Sequence, residues 1–261
     1  MPESLQENPM NALFRITLLT MLSTVCLLAA DLTVVYNTKF KSTMGLSGEG
    51  VQTHYYSTSF QKTVDEAAKV DSLVDYDKGI IYSIKHKDKK IEMMTFDDLV
   101  AIAEALEAKT GQMANMPKFL QGMMGGGDAG DVKVEKLGED TVAGRSCKKY
   151  KLTLGKMTQD LSMDPSLKIP VNPAAFAKFT KLKGYMTPGP GAANMKKMAE
   201  ELSKLQGVAL RTRMTGFMGA DSTQEATEVK TTTIPASVFA LPEGYKTEDV
   251  GKKTLKELQK S

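Results

Sequence analysis

From residue 31 onward the chain runs in short stretches of alternating apolar and polar residues, at 32–41, 51–59, 60–64, 72–75, 79–86 and 90–94. A period of two places one side of an extended segment against a core and the other against water, so these stretches predict antiparallel β-strands. Asp77-Lys78-Gly79 and Lys87-Asp88-Lys89 supply tight connections, because Asp and Gly tolerate the positive φ that hairpin turns demand. The same pattern returns at 132–137, 146–154, 159–163, 208–217 and 224–233, with no internal repeat of fixed period.

Two inserts switch to helical spacing. Thr95 is placed to cap a helix with Asp98 three residues on, the arrangement of a capping box with Asp in place of Glu. Leu99, Ile102, Leu106 and Met113 then follow at spacings near 3.6, and Met116 extends the stripe to Pro117. A glycine-rich segment at 122–130 separates this helix from the next strand. The second insert opens with Asn172-Pro173, a cap followed by proline at the first helical position, and carries Phe176 and Phe179. Beyond the Pro188-Gly189-Pro190-Gly191 break, Met195, Met198, Leu202 and Leu205 share one helical face, and Gly207 stands where a left-handed cap is expected. The expected architecture is α+β, mainly β: an antiparallel sheet with one apolar face covered by the two helical inserts.

The N-terminal stretch differs from all of this. Arg15 precedes an apolar run over 16–30 that ends in small residues, the pattern of a secretory signal. Glu3 and Glu7 are foreign to such a leader, and a start at Met10 restores the expected order. Leu28 stands where a small residue is preferred before a cut after Ala30, so residues 1–30 read as a signal peptide or, uncleaved, as an N-terminal anchor. The expected organisation is residues 1–30 for export, one domain over 31–248 with helical inserts near 95–120 and 172–206, and a charged tail over 249–261. The expected location is periplasmic, with membrane contact only through an uncleaved N-terminal segment.

Composition narrows the function classes. The formal net charge is +3, and +4 without residues 1–30, with lysines scattered rather than clustered, which gives nucleic-acid binding no support. Of the two cysteines only Cys147 lies beyond residue 30, so no disulfide staples the domain and a packed core must hold it. Cys147 reads as a strand residue and not as a reactive thiol. His54 and His86 are the two histidines, each on an expected strand without a metal-ligand partner at suitable spacing. Asp71, Asp75, Asp77 and Gly79 suggest a calcium loop, but Tyr82 occupies the position that needs a bidentate Glu. The 125–130 glycines lack the Lys-Ser/Thr of a phosphate loop, and no nucleophile motif surrounds any Ser. No catalytic residue, cofactor or metal is assigned. Methionine is abundant, with 14 of 17 beyond residue 30; the pairs Met113/Met116, Met123/Met124 and Met195/Met198 fit core packing, an adaptable apolar pocket or, third, a soft copper site.

Several segments carry a resemblance. Residues 207–215, the strand from Thr227 to Lys230, residues 234–245, the turn and strand at 142–150 and the hairpin at 73–82 resemble an uncharacterised bacterial family of exported proteins, itself similar to a branch of the LolA/LolB-like lipoprotein-carrier superfamily. The resemblance implies a curved antiparallel half-barrel with helices on its concave face, and a space between the two that in carrier relatives takes acyl chains. Burying such a chain contributes about 0.8 kcal/mol per methylene. The carrier holds its lid with an Arg on an early strand, whereas the first Arg after residue 30 here is Arg145.

Together these readings point to a non-enzymatic periplasmic protein binding a hydrophobic small molecule or lipid between sheet and helices. Leu99, Ile102, Leu106, Met113, Phe176, Phe179, Met195, Met198 and Leu202 are the candidate lining, although the same positions serve a core equally well. The alternatives are a structural or protein-interaction module of the cell envelope with a filled interior, and a methionine-based copper protein.

Overall fold

The computed structural model describes residues 30–42, 45–110, 130–185, 192–217 and 220–260. The expected leader at 1–29, Met113, Met116 and the methionines of the 122–130 segment lie outside these residues, as does the side chain of Met195. The described strands form a single 12-stranded sheet: β1 Leu32–Ser42, β2 Ser47–Tyr56, β3 Phe60–Asp65, β4 Val70–Asp75, β5 Ile80–Lys85, β6 Lys90–Thr95, β7 Lys133–Val142, β8 Arg145–Leu154, β9 Met157–Asp164, β10 Val208–Phe217, β11 Ala220–Lys230 and β12 Lys246–Asp249. Their spatial order is β12-β6-β5-β4-β3-β2-β1-β11-β10-β9-β8-β7, antiparallel throughout except for β12 beside β6. Among the described residues four α-helices accompany the sheet: α1 Phe96–Thr110, α2 Pro173–Tyr185, α3 Ala192–Ser203 and α4 Val250–Lys260. The expected curved, open antiparallel sheet with helical inserts on its concave face is what forms.

The helix starts are local chemistry. Thr95 Oγ1 accepts the Asp98 amide at 3.0 Å while Asp98 Oδ2 accepts the Thr95 amide at 3.2 Å, the reciprocal pairing of a capping box. Asn172 Oδ1 accepts the Ala174 amide at 2.9 Å, and Pro173 opens α2.

Register identifies which side chains share a face. Tyr56 pairs with Gln61, Gln61 with Val74, Val74 with Ile81 and Ile81 with Met94, so all five project to the same side. There Val74, Tyr76, Ile81 and Met94 pack under Phe96 and Leu99 of α1 and Phe179 and Leu182 of α2. At the other end of the same face, Leu152, Leu154, Leu161 and Met163 pack under Met198 of α3. The segment 165–171 crosses between them, with Leu167 against Leu32, Val34 and Tyr36 and Val171 in the α1/α2 layer. The opposite face is covered by the return of the chain after β11: Ile234 and Phe239 pack on Leu73, Ile84 and Ile91.

Of residues 249–261, expected as a charged tail, the described part, 249–260, instead continues the fold. Lys246–Asp249 adds a parallel strand to β6, and α4 packs on α1. Gly251 is buried so close to Asp98 that a Cβ there would meet the carboxylate oxygen at 2.6 Å. The tail reading failed because its apolar content is low and its partners lie about 150 residues earlier, beyond the reach of local pattern.

Candidate binding site

The candidate lining residues do not gather around one pocket. Leu99, Phe176 and Phe179 belong to the α1/α2 layer, while Met198 and Leu202 belong to the α3 layer. Leu99, Ile102, Phe179 and Met198 are buried, and Leu106, Phe176 and Leu202 are half-buried. Within the first layer Phe96 and Phe179 stack with centroids 5.7 Å apart, and Tyr76 meets Phe179 edge-on at 5.6 Å. These are close-packed helix–sheet seams. Met157, Met163 and Met198 share the α3 seam with Leu152, Leu154, Leu161, Leu202 and Leu205.

Between the two seams, beyond the 165–171 crossing, none of the described helices covers the concave face. A groove of about 510 Å³ runs over β2, β1, β11 and β10. Its floor follows from register: Thr38 pairs with Gly50 on one side and Gln224 on the other, Phe40 with Gly48 and Ser222, and Thr212 with Gln224. Phe40, Met214, Ala67 and Ala68 supply the apolar wall; Thr38, Gln52, Gln224, Thr212 and Ser222 supply hydroxyl and amide groups. Phe40 is 43% exposed, and Leu46 at the adjoining turn is 61% exposed.

The inner end of the groove is a connected polar layer. Gln224 Nε2 donates to Gln52 Oε1 at 3.3 Å and lies 3.4 Å from His54 Nε2, while Gln52 Nε2 donates to Asp65 Oδ2 at 2.9 Å. His54 Nδ1 lies 3.2 Å from Tyr56 Oη, and the Tyr36 ring meets His54 edge-on at 4.8 Å. Burial pushes Asp65 up, but the amides of Ala68 and Ala67 and the side chain of Gln52 outweigh it and hold the carboxyl below its usual range. Burial pushes the Tyr56 hydroxyl up to about 12 and Tyr36 well above its ordinary value. Lys39 at the rim pairs with Glu49 at 3.0 Å.

A second concavity of about 290 Å³ lies at Arg145, Ser146, Asp164 and Ser166. Its guanidinium is already engaged by buried Asp164 and by Ser166 Oγ, which fixes the turn that starts the 165–171 segment. On the opposite face His86 bridges Asp71 at 3.2 Å and Tyr245 at 3.0 Å, and Lys62 holds Asp71 and the Val238 carbonyl, so these groups tie down the chain after β11. Asp75 accepts the Lys78 amide in its hairpin, which accounts for one carboxylate of the superficial calcium pattern. Among the described residues no group of three or more His, Cys, Asp or Glu could hold a metal ion, and no helix is long and apolar enough to cross a membrane. Cys147 is buried on β8, and burial pushes its thiol up.

Sequence reasoning missed the groove. It searched the helical inserts for apolar stripes, whereas this floor is made of short polar residues alternating along four strands. The available signal was Gly48 and Gly50, two residues apart; the expected strand began only at Val51, while the actual one begins at Ser47.

The chain belongs to the family described as Domain of unknown function (DUF4412), whose model matches residues 80–245. The sequence finds no match among curated proteins. Solved structures similar to it include an uncharacterized conserved protein from Thermus thermophilus, at 9% identity and TM-score 0.45, covering 89% of this chain and 99% of that one. A LolA superfamily protein from Nitrosomonas europaea aligns at 8% identity and TM-score 0.33, covering 82% and 91%. MucB from the Pseudomonas aeruginosa MucA/MucB complex aligns at 7% identity and TM-score 0.40, over 82% of this chain and 56% of that one.

Proposed function

We propose that this DUF4412 protein is a non-enzymatic, exported binding protein of the cell envelope that holds an amphiphile on the concave face of its sheet. The observation that carries the reading is the open groove between two helix-covered seams on one face. Its volume, about 510 Å³, falls within the roughly 300–1,000 Å³ of small-ligand sites, and its wall mixes apolar side chains with a few hydroxyl and amide groups. The pattern over residues 15–30 supports export.

In this reading the groove receives the ligand, and the seam residues form the walls its tail meets if a helix lifts: Leu99, Ile102, Leu106, Phe176 and Phe179 on one side, Met198 and Leu202 on the other. Met113 and Met195 extend the same stripes in sequence. Native mass spectrometry of protein purified from the periplasm, with metal analysis on the same sample, tests it. A bound mass of a lipid or acylated molecule is the expected result. A clean apo mass overturns the reading in favour of an interaction module, for which exposed Val134 and Leu137 on edge strand β7 offer a surface. A copper adduct overturns it in favour of the methionine cluster at Met157, Met163 and Met198.

A further inference from the structure

Charge and hydrogen-bonding capacity in the groove narrow the ligand beyond "amphiphile", an inference that rests on the reading above. Of the charged residues at the groove, Lys39 and Glu49 alternate to the other face of β1 and β2 and pair there with each other, which leaves Asp65 as the charged side chain on the floor's own face among the described lining residues. Asp65 is held in its charged form at the groove's inner end. An anionic head seated there would lose solvation beside a carboxylate with no cation among the described lining residues to receive it, which is costly wherever water is displaced. What the floor offers is neutral hydrogen-bonding capacity: the hydroxyls of Thr212 and Ser222, the lone pairs of Thr38 Oγ1, whose proton goes to the Gly50 carbonyl, and what remains of the Gln52 and Gln224 amides beyond their bonds to each other and to Asp65.

Gly48 adds an independent observation. It lies within β2, its φ is not in the left-handed region, and a Cβ built on it meets nothing within 4 Å. Neither turn geometry nor packing calls for glycine, although glycine weakens a strand. Gly50, by contrast, has Ala67 Cβ at 3.0 Å from its would-be Cβ, so packing accounts for it. A side chain on Gly48 would project into the groove opposite Phe40, and its absence keeps the floor clear beside an exposed aromatic ring.

We propose that the groove binds an amphiphile with an uncharged, hydroxyl-rich head, a glycoside being the simplest, with the head on the Gln52/Gln224/Thr212 floor and its apolar part along Phe40 and Met214. Carboxylate and phosphate heads are disfavoured by the local charge.

The test uses the full chain and three probes of equal tail length, each below its micelle concentration: dodecyl maltoside, dodecanoate and dodecyl phosphate. Affinities are read by calorimetry, since the chain has no Trp. The maltoside is expected to bind at least about tenfold more tightly than either anion, as two or three neutral hydrogen bonds would give. Gln224→Leu, close in size to Gln, should lower maltoside affinity about tenfold while changing dodecanoate affinity less than about twofold. Gly48→Val should abolish binding of all three with no loss of stability, because its Cβ meets open space and Val favours strands. Equal or tighter binding of an anionic probe overturns the head-group inference while leaving the groove as the site. Binding that Gly48→Val leaves unchanged overturns the groove itself, and no binding of any probe overturns the amphiphile reading as a whole.

Discussion

Gly207→Ala, set beside Gly244→Ala, separates the backbone cost of a left-handed position from the cost of lost space. Gly207 links α3 to β10 at φ +101, and an added Cβ would overlap the Asp164 carbonyl oxygen and lie 2.8 Å from Pro165 Cα. Gly244 has φ +73 with nothing within 4 Å of its would-be Cβ. Gly244→Ala should therefore lose only the conformational term, about 1–2 kcal/mol. Gly207→Ala pays the same term and must also displace backbone that cannot rotate away. The displaced residue, Asp164, pairs with Val208 at the end of the β9–β10 ladder, and its carboxylate holds Arg145 and Ser166. Overpacking adds about 1–3 kcal/mol, for a total of about 2–5 kcal/mol. At about 2–4 °C per kcal/mol for a domain of this size, a loss near 3 kcal/mol lowers Tm by roughly 6–12 °C. Urea unfolding followed by far-ultraviolet circular dichroism gives both values from the shift in midpoint at constant slope. If Gly207→Ala proves no costlier than Gly244→Ala, the close approach to Asp164 is not a constraint and the reasoning is wrong.

Phe179→Ala removes a buried ring that contacts both Phe96 and Tyr76, and should cost about 3–5 kcal/mol in thermal or chemical unfolding; a loss below about 1 kcal/mol would mean the α1/α2 seam is not close-packed. Burial raises the Asp164 carboxyl, but Ser166 and Arg145 more than offset this and hold it below its usual range. A depressed carboxylate stabilises the fold above its unfolded pKa of about 3.9, and the contribution is lost as pH falls through the lower folded value. Urea midpoints should therefore drop below about pH 4, and Asp164→Asn should flatten that part of the profile. Burial raises the hydroxyls of Tyr36, Tyr56 and Tyr76, so part of the tyrosinate absorbance should appear only with alkaline unfolding. Stability falls as pH passes above about 10, where the unfolded hydroxyls ionise first; a single native titration near that value would contradict the burial. Cys147 should resist thiol reagents until the protein unfolds, and prompt native labelling would show that β8 opens at that point.

What could be read without coordinates was local. The capping box at Thr95 and Asp98 and the Asn172-Pro173 start of α2 involve residues within three positions of each other, and both formed as the pattern implied. Strand alternation carried the eleven antiparallel strands to within a few residues at most ends. Larger misses had nearby physical causes: β7 runs on to Val142 through a bulge between Lys136 and Gly138, which breaks the period of two.

The candidate site was less legible. Apolar stripes on α1, α2 and α3 mark faces that must be covered, and the structure covers them, but a stripe does not reveal whether it meets a cavity or a filled seam. The groove depends on β2, β1, β11 and β10 lying side by side, which brings Gly48 and Gln52 onto one floor with Thr212 and Gln224 across 160 residues of chain or more. Short polar residues on a strand read as solvent-facing, and only sheet order makes them converge.

Sequence by itself determined the local elements: period-two strands, two capped helical inserts and the polar turns between them, because each is set by backbone and solvation preferences acting over a few residues. Tertiary structure alone decided the order of the strands, the parallel addition of β12, the docking of α4, the division of the helical stripes into two seams and the open groove between them. Those features depend on contacts between residues far apart in the chain, where no local preference distinguishes one pairing from another.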